Sequence, residues 1–124
     1  MTPDEIVTAF VKANSGRDID AICDFLAPDV VYENIGMSTA TGIDEVRASI
    51  EGFHQMASKM EWEVLRQVAD DRQVLNERID RFWLGDDRQV DIRVAGVFEV
   101  RDGKITAWRD YFDTAGVQTQ FAGG

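Results

Sequence analysis

Four long stretches with a side-chain period of two occupy the chain from residue 60 onward, and they constrain its fold more than any other feature. They cover residues 61–69, 73–84, 90–101 and 104–113, and are rich enough in Val, Ile, Trp and Phe to form long strands. Asp70-Asp71, Gly85-Asp86-Asp87 and Asp102-Gly103 supply turn residues between them. The last is the sharpest signal, a two-residue loop between Val100 and Ile105 in which both positions tolerate positive φ. Consecutive antiparallel strands are expected.

The first 60 residues have a helical period instead. Thr2, Pro3 and Glu5 make a capping-box start, and Ile6, Phe10 and Ala13 form the apolar stripe behind it, to an end near residues 14–16. A second short helix, capped near Asp18, carries Ile19, Ile22, Cys23 and Leu26 and stops before Pro28. Residues 30–34 suggest a short strand and residues 38–41 a loop. A third helix over about residues 43–59 presents Val46, Ile50, Phe53 and Met56 at spacings of three and four, and its lone His54 is expected at the surface or a rim. The tail, residues 114–124, is small and polar and is expected to fray in part.

A chain of 124 residues is expected to form one domain. Three N-terminal helices and four sequential strands predict an α+β domain, in which the sheet curls around the helices and leaves an apolar pocket between them. The balance of 23 Asp and Glu against 13 Lys and Arg, net charge −10, repels phosphate backbones and anionic lipids, so neither nucleic acid nor a membrane is an expected partner. The one cysteine, Cys23, excludes a disulfide within the chain and is expected to be an inert buried thiol. With one His and no cysteine pair, no metal site is expected. The acidic start and the lack of an apolar span point to the cytoplasm.

Strand alternation over residues 76–82 places Asn76, Arg78, Asp80 and Phe82 on one face, and Glu77, Ile79 and Arg81 on the other. Over residues 106–112 it groups Trp108, Asp110 and Phe112. An Arg between two carboxylates can pair both through its planar fork of donors. Such a cluster is either a surface ion-pair network or an enclosed reactive site, and the pattern leaves both open. Tyr32 and Asn34 share a face of the early strand, roughly 7 Å apart at strand spacing, and could converge on one water. Alone, Tyr-x-Asn is a weak signal.

Taken together, Tyr32-x-Asn34, Glu77-Arg78-Ile79-Asp80, and the run from Gly96-Val97-Phe98 through Asp102-Gly103-Lys104-Ile105 to Trp108-Arg109-Asp110-Tyr111-Phe112 resemble the limonene-1,2-epoxide hydrolases. The final run is also common among polyketide cyclase-like and nuclear transport factor 2-like domains; its combination with the other two motifs is narrower. The similarity extends from about Val7 to Asp113, without the family's longer N-terminal segment. It implies a cone of helices in a strongly curved mixed sheet, commonly a homodimer through the sheet's outer face. It also implies catalysis without a cofactor by Asp80, Arg78 and Asp110, with Tyr32 and Asn34 holding the water. The expected substrate is a small lipophilic epoxide. Candidate pocket residues are Met37, Ile50, Phe53, Phe82, Leu84, Trp108 and Phe112. Two other functions suit the same pocket: a ketosteroid isomerase-like or cyclase-like proton transfer, and ligand binding without turnover.

Overall fold

The computed structural model describes residues 1–85 and 87–122. Asp86, in one of the expected turns, and residues 123–124 of the tail lie outside the described residues. Helix α1 (Pro3–Gly16) begins with the expected capping box: Glu5 N donates to Thr2 Oγ1 at 3.2 Å, and Thr2 N donates to Glu5 Oε1 at 2.8 Å. Its stripe buries Ile6, Val7, Phe10 and Val11. Asp18 caps the short helix α2 (Ile19–Cys23). Leu26, expected on that helix, instead opens strand β1 (Leu26–Asn34).

Strand β1 starts earlier than its alternation suggests because a bulge hides the pattern. Between the pairs Leu26–Ile105 and Val31–Ala107, residues 27–30 face only Thr106, and Pro28, which has no N–H to donate, sits inside this irregularity. Strand β2 (Ser38–Thr41) lies where a loop is expected, pairing with β1 as a short edge strand. Helix α3 (Ile43–Met56) ends before residue 59: Ala57 is already extended, and Ser58 N donates to Trp83 O at 2.8 Å, drawing the chain into the sheet.

Strands β3 (Lys59–Ala69), β4 (Gln73–Trp83), β5 (Gln89–Arg101) and β6 (Lys104–Tyr111) form the antiparallel run that the period of two predicts. Asp102 and Gly103 turn the β5–β6 hairpin with φ of 53° and 79°, a conformation that glycine adopts at no steric cost. The sheet order is β2-β1-β6-β5-β4-β3, mixed because β1 and β6 run parallel. The fold is thus the expected α+β cone, with helices packed into a curled mixed sheet.

The tail departs from expectation. Residues 114–121 form helix α4 (Thr114–Phe121), capped by Asp113 accepting from Gly116 N at 3.1 Å, and Val117 is buried. No helix among the described residues is long and apolar enough to cross a membrane. Cys23 is half-buried rather than buried, and burial raises its pKa, which keeps it a thiol.

In the core, Phe10 and Trp108 pack T-shaped at 5.0 Å between centroids, and Trp108 stacks on Tyr32 at 3.6 Å. Helix α1 therefore packs directly behind the Trp108–Tyr32 stack.

Candidate active site

Parallel pairing of β1 with β6 sets Tyr32 beside Trp108 and Asn34 beside Asp110. Antiparallel pairing then sets Asp110 beside Gly96 on β5, and Gly96 beside Asn76 on β4. Asp110 and β4 are therefore two strand spacings apart, about 9–10 Å. The Arg78 side chain spans that gap. Its Nε donates to Asp80 Oδ1 at 3.0 Å and its Nη2 to Asp80 Oδ2 at 3.0 Å and to Asp110 Oδ1 at 3.1 Å.

The crossing passes over Gly96, and this is why β5 has a glycine there. A methyl group on Gly96 would overlap Arg78 Nη1 and stand 2.7 Å from Asn76 Oδ1. Gly96→Ala is therefore expected to push the guanidinium off Asp110. The result should be at least a tenfold loss of epoxide turnover and roughly 1–3 kcal/mol of stability, read by steady-state kinetics and thermal melts. A glycine within a strand pattern often marks such a close approach, and that was the available signal for Gly96.

The cluster is enclosed: Arg78 is 0% exposed, Asp80 4% and Asp110 3%. The opposite face of the same strands carries the surface ion pairs, Arg93 with Glu77, Arg81 with Glu61 and Glu63, and Arg109 with Glu99. A surface network is therefore the wrong description of Asp80, Arg78 and Asp110. Burial alone would lower the Arg78 pKa, but the charges of Asp110 and Asp80 outweigh it and keep the guanidinium a cation. Burial pushes Asp110 up to about 6 against the opposing pull of Arg78, and the charge of Asp80 adds to the rise.

Trp108 Nε1 donates to Asp110 Oδ1 at 3.0 Å, so that oxygen accepts two bonds. Tyr32 Oη donates to Asn34 Oδ1 at 3.2 Å. Burial, with the charge of Asp110 adding to it, raises the Tyr32 pKa well above its ordinary value, so the hydroxyl stays protonated.

These groups meet at a cavity of about 470 Å³, a size typical of small-molecule sites. Tyr32, Asn34, Asp80 and Asp110 supply polar atoms to its wall, and Met37, Phe53, Phe82, Leu84 and Phe112 line it as expected. Trp108 and Ile50, also expected in the lining, are absent from it. Trp108 lies beneath Tyr32 as its stacking partner, and Ile50 is core on the buried side of α3. The lining also includes Trp62, Val94, Val117 and Phe121, which the sequence reading missed. Two of these stand on α4, which was expected to fray. His54 is half-buried on α3 and outside the lining. Among the described residues, no three His, Cys, Asp or Glu side chains are grouped to hold a metal ion.

A curled mixed sheet closed by helices around an apolar cavity, with an Arg-bridged carboxylate pair on its wall, defines the chain as a cone-fold enzyme. A protein with a ketosteroid isomerase-like fold from Catenulispora acidiphila shares this fold, with a TM-score of 0.83 at 23% identity over 97% of this chain and 93% of that one. The chain belongs to the limonene-1,2-epoxide hydrolase catalytic domain family, whose profile matches residues 1–122, and epoxide hydrolysis is its general activity. Epoxide hydrolase EphG of Mycobacterium tuberculosis is 42% identical over 109 residues, 86% of this chain and 70% of that protein. The solved structure of an M. tuberculosis LEH-like epoxide hydrolase matches with a TM-score of 0.84 and 36% identity, covering 97% of this chain and 89% of that one.

Proposed function

We propose that the chain hydrolyses a lipophilic epoxide to a vicinal diol in one step, without a cofactor, by direct attack of water. The observation that carries this reading is the Asp80–Arg78–Asp110 bridge in the wall of an apolar cavity, beside the Tyr32–Asn34 pair. Ring strain already favours opening, so the site must supply a nucleophile on one side and a proton on the other.

Asp110 is the base. Its Oδ1 is occupied by Arg78 and Trp108, which leaves Oδ2 to accept a proton from water. With a pKa of about 6 it is ionised at neutral pH, yet more basic than an ordinary carboxylate. The water keeps its second proton and uses it to donate a hydrogen bond to Tyr32 Oη, whose own hydrogen is donated to Asn34 Oδ1, and it accepts a hydrogen bond from Asn34 Nδ2. One lone pair then remains to attack the ring carbon. Asp80 is the acid: the reacting form of the pair holds one proton, on Asp80, which delivers it to the epoxide oxygen as the C–O bond breaks. Turnover leaves the pair with the same number of protons but on the opposite carboxylate, and exchange with solvent resets it.

Two measurements test this. The rate should fall as pH drops through about 6, because protonated Asp110 cannot accept from water. In a single turnover in heavy-oxygen water, the new hydroxyl should carry solvent oxygen; unlabelled diol would mean a carboxylate had attacked and would overturn the one-step reading. The same proposal takes the chain as a homodimer joined through the outer face of the sheet, where Leu75 and Tyr111 stand exposed.

A further inference from the structure

Behind Arg78 lies a line of hydrogen bonds that none of the proposed catalytic roles uses. Arg78 Nη1 donates to Asn76 Oδ1 at 2.9 Å, and Asn76 Nδ2 donates to Gln67 Oε1 at 3.0 Å. Gln67 Nε2 then donates to Asp4 Oδ1 at 2.8 Å and to Thr8 Oγ1 at 3.1 Å, both on the exposed side of α1. The direction of this line is forced. A guanidinium can only donate and an ionised carboxylate can only accept, so each amide between them has one permitted orientation.

We propose that Asn76 is a positioning residue for the carboxylate pair, and that the relay from Asp4 through Gln67 fixes its amide so that its oxygen always faces Arg78. With Nη1 anchored, the guanidinium plane cannot turn. Nε and one hydrogen of Nη2 remain on Asp80, and the other hydrogen of Nη2 remains on Asp110. Gly96 leaves room for this anchor, since a side chain there would strike both Nη1 and Asn76 Oδ1. Trp62 and Phe98 hold the guanidinium by their rings at 5.1 and 5.8 Å, but rings restrain position without fixing rotation. Among the described residues, only Asn76 supplies a directional bond on the side away from the carboxylates.

The inference rests on Arg78 tuning Asp110, and it predicts a change in ionisation as well as in rate. The titratable groups facing Arg78 are Asp80 from its own strand, Asp110 from β6 and Tyr32 from β1, with Asp4 at the far end of the relay. Helix α4 has no titratable side chain, the buried side of α1 is Ile6, Val7, Phe10, Val11 and Asn14, and that of α3 is Val46 and Ile50. Asn76→Asp keeps the shape but adds a third carboxylate competing for one cation. It also sets two acceptors against each other at Gln67.

The test is a carbon-13 NMR titration of the Asp110 carboxyl without substrate, alongside the pH dependence of kcat and KM. Asn76→Asp should raise the Asp110 midpoint and the acid limb of kcat together by about one pH unit, lower kcat at neutral pH about tenfold, and leave KM within about twofold. Gln67→Leu, at a half-buried position, should lower kcat about threefold with KM unchanged. A folded Asn76→Asp chain with an unmoved Asp110 midpoint would overturn the inference, as would a Gln67→Leu chain with the kcat of the parent. Failure of the proposed reaction is a separate result, an Asp110→Asn chain that still turns over epoxide.

Discussion

Asp110→Asn is expected to lower kcat for a lipophilic epoxide by about 10²- to 10⁴-fold, the range general base catalysis supplies, while leaving the fold intact. Asn is nearly isosteric with Asp, and its Oδ1 can still accept from Arg78 Nη2 and Trp108 Nε1, so the cluster keeps its shape. What changes is the second position, where a proton acceptor becomes an amide donor pointed at the water. Asp80→Asn should give a loss of the same order by removing the proton donor. Either variant with the parent's rate would end the proposed mechanism.

Stability should move the other way in Asp110→Asn. Folding raises the Asp110 pKa to about 6, above its ordinary value, because burial opposes the charge. The folded chain therefore binds that proton more tightly than the unfolded chain does. The resulting stability is complete below the ordinary carboxyl pKa and is lost as pH rises through about 6. The parent's melting temperature should decline across that window more steeply than the variant's. A carboxylate that lowers stability where the enzyme works is explained by chemistry, because a structural ion pair would show the opposite slope.

How much of this was legible in the sequence depends on whether the signal was local. The four long strands, the Asp102-Gly103 hairpin and the capping box at Thr2 depend on neighbouring residues, and they fall within a few residues of the observed elements. Strand β2 and the start of β1 depend on partners instead. A short exposed edge strand has no apolar alternation, and the bulge around Pro28 breaks the period that would have revealed β1. Helix α4 was hidden for a related reason: its small and polar residues lack a strong stripe, and Val117 and Phe121 become meaningful only because a cavity lies beside them.

The site followed the same division. Alternation grouped Arg78 with Asp80, and Trp108 with Asp110, and the structure brings those two groups together at 3.1 Å. That Arg78 must cross β5 to do so is a property of the order β6-β5-β4, which no single strand encodes. Gly96 and Asn76 acquire their importance from that crossing. Alternation also put Trp108 on the inner face but could not give its depth, and so a residue expected to touch substrate lies beneath Tyr32 instead.

Arg78→Leu is expected to be the most damaging single change, costing about 3–5 kcal/mol and nearly all activity. The guanidinium is fully buried and forms every ion pair the two carboxylates have among the described residues, so its loss strands them in an apolar wall. Asp110, whose rise Arg78 now restrains, should move further up, and the destabilisation should shrink as the solution is acidified, as melts across pH would show. Lysine is a poor substitute, because a point charge on a flexible stem cannot make two bonds to Asp80 while reaching Asp110. The decisive comparison replaces all three residues with Leu. Removing a whole buried charge cluster is often neutral or stabilising, whereas removing its cation alone is not. A triple variant that regains the stability lost by Arg78→Leu, yet hydrolyses nothing, would separate the two roles: the cluster needs its arginine to be tolerated, and the protein needs the cluster only for its chemistry.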